Sequence, residues 1–213
     1  ALRVAGIGPG DEVITQPNSF IASAGAIVAA GARPVFVDVL EDQNISPDLI
    51  GSAITPKTRA IMPVHLTGRM ADMARIMDIA SSRDLIVIED AAQAIGSRRD
   101  GLASGTIGHF GCLSAHPLKN LNAAGDAGFI LTDDDAAAMR LRRMRTHGLV
   151  ERDLSEEFGI VSRLDVLQAV ILRFRLKGLD NAIERRRKNA ALYRQHLDSG
   201  SVFCVPCQET EYN

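Results

Sequence analysis

The stretch Leu85-Ile86-Val87-Ile88-Glu89-Asp90 joins an uninterrupted run of apolar residues to two consecutive carboxylates. A short run of this kind, rich in Val and Ile, is typical of a β-strand that is buried on both faces of a sheet. Similar short runs recur along the first two thirds of the chain, at Glu12–Gln16, Pro34–Val39, Arg59–Val64, Phe110–Leu113 and Ala127–Thr132. The sequence therefore predicts a sheet with both faces covered.

Helical patterns separate these runs. They are predicted at Ser19–Ala30, Pro47–Ile54, Met70–Ser82 and Asp133–His147. Ser46 is suited to cap the second helix, because Pro47 then occupies the first helical position. The alternation of short strands with helices predicts an α/β domain in which helices flank a mostly parallel central sheet.

The pattern changes after about Gly159. Two long helices are predicted at Leu164–Leu176 and Leu179–Leu197. The second contains the basic run Arg185–Lys188, which is more typical of a solvated helix face than of a nucleic-acid site. The strand-like run Ser201–Val205 then predicts the start of a second domain.

Composition narrows the classes of function. The 213 residues are 46% hydrophobic and 23% charged, close to the average of soluble globular proteins. A net charge of −2 argues against a nucleic-acid or anionic-membrane partner, and no apolar stretch is long enough for a transmembrane helix. Three cysteines, an odd number, suggest free thiols in a reducing compartment, so we expect a cytoplasmic protein.

Two motifs have the composition or spacing of ligand sites, but their context argues against that function. Gly6–Gly10 is rich in glycine, but it precedes a strand, whereas a dinucleotide-binding loop follows one, which argues against a Rossmann oxidoreductase. The pair Cys204 and Cys207 has the spacing of a metal or redox site. Only one other cysteine, Cys112, is present, so a four-cysteine zinc site is excluded and we expect no metal.

Ligands of open α/β sheets bind at the carboxyl ends of the strands, so the residues that follow each strand are the first candidates. These candidates are Phe20, Asp90, Gln93, Ser114 and Lys119. Lys119 is the best amine nucleophile of only four lysines, because it alone lies in a loop rich in Gly and Ala between apolar runs. An ordinary loop lysine is the alternative. Asp90 is either the N-cap of a following helix or a functional anion, and Ser114 either binds a phosphate or bonds its own backbone.

These residue types together match the requirements of pyridoxal phosphate. A carboxylate pairs with the pyridine N–H, a lysine holds the aldehyde as a Schiff base, and a hydroxyl with backbone amides binds the phosphate. Asp90, Lys119 and Ser114 are residues of these three kinds. The constellation therefore suggests a pyridoxal phosphate site.

The chain resembles the DegT/DnrJ/EryC1/StrS sugar aminotransferases, a family of fold-type-I pyridoxal phosphate enzymes. The resemblance extends over essentially all 213 residues. Its most specific parts are Glu-Asp-Ala-Ala-Gln at 89–93 and Ser-x-His-x-x-Lys-Asn at 114–120. Other matching stretches are Gly8–Ile14, Ala30–Asp38, Ile54–His65 and Arg145–Gly148. The resemblance implies an aspartate-aminotransferase-like large domain at residues 1–178, which binds the cofactor. It also implies a linker helix and the start of a smaller C-terminal α+β domain at 179–213, with both domains incomplete.

The resemblance also implies a role for each candidate. Lys119 would form the internal aldimine and move a proton between C4′ of the cofactor and the substrate carbon. Asp90 would hold the pyridinium, Gln93 would hydrogen-bond the 3-oxygen of the ring, and Ser114 would bind the phosphate. Phe20 would stack on the ring, with a core phenylalanine at the start of an amphipathic helix as the alternative.

The implied reaction is a two-stage transamination. An amino acid, glutamate or glutamine, gives its nitrogen to the cofactor, and a keto-sugar linked to a nucleotide then receives it. Relatives that replace the lysine with histidine dehydrate sugars, and Lys119 argues against that reaction here. The alternatives are a pyridoxal-phosphate-dependent sugar dehydratase and a non-catalytic relative that kept the fold for binding or regulation.

One segment departs from the family pattern. The Gly-aromatic-Asn-x-Arg segment of the family reads Gly159-Ile160-Val161-Ser162-Arg163 here. The family's asparagine reaches the phosphate in the neighbouring subunit's site, and Val161 cannot donate to a phosphate, so either another donor replaces it or the phosphate is held less tightly. Arg163 is retained. In a homodimer with shared active sites it would bind an anionic part of the substrate, with a solvent-facing arginine at a helix start as the alternative.

Overall fold

The structure is a computed structural model that describes residues 1–196. The predicted strand Ser201–Val205 and the Cys204 to Cys207 motif lie outside the described residues. The strands are β1 (Glu12–Thr15), β2 (Arg33–Phe36), β3 (Thr58–Met62), β4 (Ile86–Asp90), β5 (Arg98–Arg99), β6 (Leu102–Ala103), β7 (Phe110–Ser114), β8 (Gly128–Leu131), β9 (Leu149–Glu151) and β10 (Leu154–Ser155). The α-helices are α1 (Ala22–Ala29), α2 (Pro47–Ala53), α3 (Met73–Ser82), α4 (Asp135–Met144), α5 (Val166–Leu176) and α6 (Leu179–His196).

A six-stranded sheet forms the centre of the fold. Its strand order is β2-β1-β3-β4-β7-β8. Every neighbouring pair is parallel except β7 and β8, which are antiparallel. The prediction of an α/β fold with a mostly parallel sheet is therefore confirmed, and each predicted strand within the described range is present.

The apolar runs are explained by burial on both faces of the sheet, since successive strand residues point to opposite sides. On one face, Ile14, Ile61 and Val87 are fully buried and pack in one cluster. Ile50 of α2 and Ile76 of α3 belong to the same cluster. The cluster on the opposite face contains the alternate strand residues and residues of α1 and α4, among them Val13, Ala60, Ile88, Ile27 and Ala137.

The starts of α1 and α3 differ from the predicted ones. α1 begins at Ala22, later than predicted, so Phe20 lies before the helix. α3 also begins later than predicted, after Asp72, whose side chain accepts a backbone hydrogen bond from the first turn. Ser46 precedes α2 as predicted, but its hydroxyl makes no cap hydrogen bond, so the fixed φ of Pro47 remains the local feature that favours this start.

Two small hairpins were not predicted. β5 pairs with β6, and β9 pairs with β10, in separate two-stranded sheets. These strands have only two or three residues, too few to show an alternating pattern. No helix within residues 1–196 combines the length and apolar character needed to cross a membrane. The division of the chain at residue 178 stays a prediction.

Candidate functional site

The carboxyl ends of β1, β4 and β7 bring most of the predicted site residues to one edge of the sheet. Asp90 ends β4 and pairs with Cys112 of β7, and Ser114 follows on the same strand. Asp90 also bridges to Val64, just beyond the end of β3. Because these strands are parallel, the loops that contain Phe20, Gln93 and Lys119 leave from the same edge, which is where open α/β sheets bind ligands.

Asp90 is held by hydrogen bonds to both carboxylate oxygens. The hydroxyl of Ser23 in α1 donates to Oδ2 at 2.6 Å, and the backbone N–H of Ala92 donates to Oδ1 at 3.2 Å. The residues after Asp90 form turns rather than a helix. The alternative that Asp90 caps a helix is therefore wrong, and a half-buried, fixed carboxylate faces the sheet edge.

The neighbouring Glu89 is fully buried and accepts four hydrogen bonds. His65 Nε2 lies 2.8 Å from one oxygen, and the backbone N–H groups of Gly105, Ile107 and Gly108 donate at 2.6–2.7 Å. Burial by itself raises the pKa of Glu89, but the bonds from His65, Gly108 and Gly105 outweigh it and hold the pKa below its ordinary value. Glu89 thus anchors the loop beside Asp90 as a buried carboxylate.

His65 acts in this anchor as a neutral donor. Its Nδ1 accepts a hydrogen bond from the backbone N–H of Ala71 at 3.2 Å, so that nitrogen has no proton. The single ring proton is then on Nε2, where it is donated to Glu89. Sequence reasoning missed this pair. The available indication was a glutamate at the end of a run predicted to be buried on both faces.

Gln93 has an orientation set by the backbone. Its Oε1 accepts a hydrogen bond from the N–H of Thr67 at 2.9 Å, and Thr67 has a φ of 55° in the loop after β3. Within residues 1–196, the Nε2 group of Gln93 has no hydrogen-bond acceptor. The side chain therefore presents free N–H donors to a ligand.

The loop after β7 contains Ser114 and Lys119. Ser114 Oγ accepts a hydrogen bond from the N–H of His116 at 3.3 Å, which leaves the hydroxyl hydrogen available as a donor. The N–H of Lys119 donates to the carbonyl of His116 at 2.8 Å and closes a turn. Lys119 is half-buried and forms no ion pair in the part of the chain that the structure describes.

Helix α5 holds this loop from outside. Leu121 and Ala123 pack against Leu172 of α5 in a small apolar cluster. Arg175 donates to the carbonyl of Asn122 at 2.8 Å and also contacts its side-chain oxygen. The Asn122 amide in turn donates to the carbonyl of Pro117 at 2.6 Å, across the base of the loop.

Phe20 and Arg163 are both exposed, but only Phe20 lies at the site edge. Phe20 is 71% exposed, so the alternative of a core phenylalanine is wrong. Arg163 lines a separate cavity of about 1300 Å³ together with Cys112 and residues of α4. None of Asp90, Gln93, Ser114 and Lys119 lines that cavity. The predicted contact of Arg163 with a site in a second subunit stays a prediction.

Val161, at the position of the family's asparagine, is 56% exposed and forms an isolated β-bridge with Thr146.

Within residues 1–196, no group of three His, Cys, Asp or Glu residues is placed to hold a metal ion. The unused groups at the edge instead suit an aromatic, phosphorylated aldehyde. Asp90 provides a fixed anion, Gln93 free N–H donors, Ser114 a hydroxyl and Lys119 an unpaired amine.

Comparison with known proteins gives a family match over almost the whole chain. A family model described as the DegT/DnrJ/EryC1/StrS aminotransferase family matches residues 1–212. A pleiotropic regulatory protein of Geobacillus stearothermophilus is 49% identical over 97% of this chain and 56% of its own length. A UDP-N-acetyl-3-dehydro-alpha-D-glucosamine 3-aminotransferase of Acidithiobacillus ferrooxidans is 47% identical over 92% and 54%. The chain thus spans about half the length of these relatives.

Solved structures match the fold over most of this chain and about half of their own chains. DesV of S. venezuelae, solved with a ketimine intermediate, superposes with a TM-score of 0.90 at 44% identity over 93% of this chain and 54% of that chain. NtdA of Bacillus subtilis, solved with bound cofactor PMP, gives 0.81 at 37% identity over 91% and 46%. Each likeness covers about half of the matched structure's own length.

Proposed function

Because the chain belongs to the DegT/DnrJ/EryC1/StrS aminotransferase family, we propose that it is the cofactor-binding part of a pyridoxal-phosphate-dependent aminotransferase. The reaction transfers an amino group from an amino acid, glutamate or glutamine, to a nucleotide-linked keto-sugar. Support for the sugar acceptor comes from the relative named as a UDP-sugar 3-aminotransferase. The single observation on which the proposal depends is the convergence of Asp90, Gln93, Ser114 and Lys119 on one sheet edge.

Each side chain has a separate task in this proposal. Pyridoxal phosphate, when bound, supplies an aldehyde and an aromatic ring that withdraws electrons from the reacting carbon. Asp90 would bind the ring N–H, Gln93 would donate to the ring oxygen, and Ser114 would donate to the phosphate. Lys119 Nζ would hold the cofactor through its aldehyde carbon, with release of water, and its free amine would carry the proton between the two reacting carbons. Phe20 covers the face of the ring.

The amine of Lys119 distinguishes this reaction from its two alternatives. A dehydratase of this family has histidine at that position, and a purely regulatory relative has no need of the lysine or of the fixed Asp90. One similar protein is named as a regulatory protein, so the reaction requires a direct test. We further propose a cytoplasmic homodimer with shared active sites, in which Arg163 binds an anionic part of the substrate in its partner's site.

The test uses the full-length protein with added pyridoxal phosphate. We expect a visible absorption band in the wild type that is absent from Lys119→Ala and retained in Lys57→Ala, whose exposed lysine lies in a turn. Borohydride reduction followed by peptide mass spectrometry should place the cofactor on the peptide containing Lys119. A folded wild-type protein with no such band would overturn the proposal.

Substrate specificity is tested on the same protein. Glutamate or glutamine with a nucleotide-linked keto-sugar should give an amino-sugar and the corresponding keto acid. A product that has lost a hydroxyl without gaining nitrogen would instead identify a dehydratase.

A further inference from the structure

Two serine hydroxyls form a continuous hydrogen-bonded chain that ends on Asp90. Ser19 Oγ lies 2.6 Å from Ser23 Oγ, and Ser23 Oγ lies 2.6 Å from Asp90 Oδ2. Ser23 is 5% exposed, whereas Ser19 is half-buried at the start of the same segment. Sequence reasoning assigned no role to either serine.

The direction of this chain follows from the number of hydrogens. An ionised carboxylate only accepts, so the one hydroxyl hydrogen of Ser23 goes to Asp90. The hydrogen between the two hydroxyls then belongs to Ser19. Ser19 Oγ lies 2.6 Å from Ser23 Oγ and 3.3 Å from the carbonyl oxygen of Phe20, so its one hydrogen goes to the shorter contact, with Ser23. Hydrogen bonds aligned in this way polarise one another and strengthen the last bond of the chain, the one to the carboxylate.

The same chain of hydrogen bonds closes the turn that contains Phe20. The Ser19 to Ser23 contact spans this turn, and the N–H of Ser23 also donates to the carbonyl of Phe20 at 3.1 Å. Asp90 belongs to β4, whereas Phe20 and both serines belong to the segment between β1 and the first turn of α1. One chain of hydrogen bonds therefore joins the carboxylate to the aromatic residue.

From this geometry we infer that Ser23, supported by Ser19, is a positioning residue that orients Asp90 and fixes it relative to Phe20. The inference depends on the proposed pyridoxal phosphate site. With Oδ2 held by Ser23 and Oδ1 by Ala92, the carboxylate cannot rotate freely, so its remaining lone pairs keep one direction in which they can accept from a ligand N–H. Without Ser23 the carboxylate can rotate, and both its alignment and its distance to the stacked ring become variable.

The experiment measures binding of pyridoxal phosphate to the full-length protein by equilibrium dialysis. We expect Ser23→Ala to raise the Kd about tenfold and Ser19→Ala to raise it about threefold. Ser23→Thr should keep a Kd near the wild-type value, because the hydroxyl is kept. Ser82→Ala is the matched control, since that exposed hydroxyl bonds only its own helix backbone. The pH midpoint of the visible band should shift in Ser23→Ala and not in the control, which a purely structural role would not cause.

Two outcomes separate failure of this inference from failure of the proposed function. If Asp90→Asn loses the cofactor while Ser23→Ala binds it with wild-type affinity and an unchanged pH midpoint, the positioning role is wrong and the site stands. If wild-type protein does not bind pyridoxal phosphate, both are wrong. If Ser23→Ala does not unfold cooperatively, Ser19→Ala is the deciding variant, because the Ser19 side chain does not touch Asp90. An unchanged Kd in Ser19→Ala would then overturn the inferred support of Asp90 by the two serines.

Discussion

Glu89 and Asp90 are adjacent carboxylates that the alternation of a β-strand turns to opposite sides. Glu89 faces His65 and three backbone N–H groups and is completely enclosed. Asp90 faces Ser23 and the sheet edge and stays half-buried. At the scale of the residue, one carboxylate therefore stabilises the loop beside the site, and the other is free to bind a ligand.

Replacement of Glu89 with Gln should be strongly destabilising. The amide N–H₂ would face donors that now point at a carboxylate oxygen, and the loss of a buried charged acceptor costs about 3–5 kcal/mol of unfolding free energy. Chemical denaturation at pH 7 measures this. Glu157→Gln, which breaks an exposed pair with Arg140, is the control and should have a much smaller effect.

The acid stability of the protein should depend on the same group. The folded-state pKa of Glu89 is below its ordinary value of 4.5, so its contribution is complete above that value. The contribution is lost as the pH falls through the lower folded-state pKa, because the unfolded chain then binds the proton more readily. Denaturation curves from pH 6 to pH 3 should fall less steeply with pH in Glu89→Gln than in wild type. Parallel curves would contradict the ionised state of Glu89.

Cys112 should be unreactive at neutral pH. Burial, assisted by the nearby carboxylates, raises the pKa of its thiol to about 11, and only the thiolate is nucleophilic. Alkylation of the native protein with iodoacetamide, followed by peptide mapping, should label Cys112 slowly at pH 7.5 and faster as the pH approaches 11. Rapid labelling at pH 7.5 would contradict the raised pKa of this half-buried thiol. Denatured protein gives the reference rate.

At the scale of the element, α5 is the support of the loop that contains Lys119. Its apolar contact is through Leu172, and its polar contacts are Arg175 with Asn122 and Gln168 with the N–H of Ala124 at 2.8 Å. The outer face of the same helix is apolar and exposed, with Phe174 77% accessible. α5 thus lies between the lysine loop and a surface that the described residues leave uncovered.

Loss of one polar contact of α5 should loosen the lysine loop without unfolding the domain. Arg175→Ala removes the donor to Asn122, and we expect amide hydrogen exchange in residues 117–124 to become about fivefold faster, as for the loss of one ordinary hydrogen bond. Arg173→Ala, an exposed arginine of the same helix, is the matched control. Equal exchange in the two variants would show that the packing on Leu172 and the Gln168 hydrogen bond are enough to hold the loop.

At the scale of the whole molecule, the sheet places the candidate site on one edge and Arg163 beside a separate cavity. Within residues 1–196, no hydrogen bond or ion pair joins Arg163 to Asp90 or Lys119. A closed twofold dimer can place a residue of one subunit in the other subunit's site, as the proposed function requires.

Mixed dimers test this arrangement directly. Lys119→Ala and Arg163→Ala should each be nearly inactive alone in the full-length protein. After the two are unfolded together and refolded at equal amounts, hybrids contain one intact site, so about a quarter of wild-type activity should return. The control mixes Lys119→Ala with Asp90→Asn. These two residues lie at the same sheet edge of one subunit, so each site of a hybrid stays damaged and no activity should return. If no activity returns in the mixture of Lys119→Ala and Arg163→Ala, Arg163 does not act in the partner subunit's site.

The strands and most helices were predictable from sequence because burial on both faces of a sheet requires apolar residues at consecutive positions. Runs such as Leu85–Ile88 are apolar at every position, and the helices between them repeat at helical spacing. The candidate site residues Asp90, Gln93, Ser114 and Lys119 could be proposed from the sequence because the end of an apolar run marks the carboxyl end of a strand. Helix starts were less accurate, since Asp72 and the turn at Phe20 depend on single hydrogen bonds.

Only the tertiary structure decided which of these groups meet. The strand order β2-β1-β3-β4-β7-β8, the bond between Ser23 and Asp90 across 67 positions, and the contact of Arg175 with Asn122 across 53 are absent from any local pattern. The pairing of His65 with Glu89 is of the same kind. The physical reason is that periodicity records which side of an element is buried, whereas the partner of a buried polar group is set by how distant elements pack.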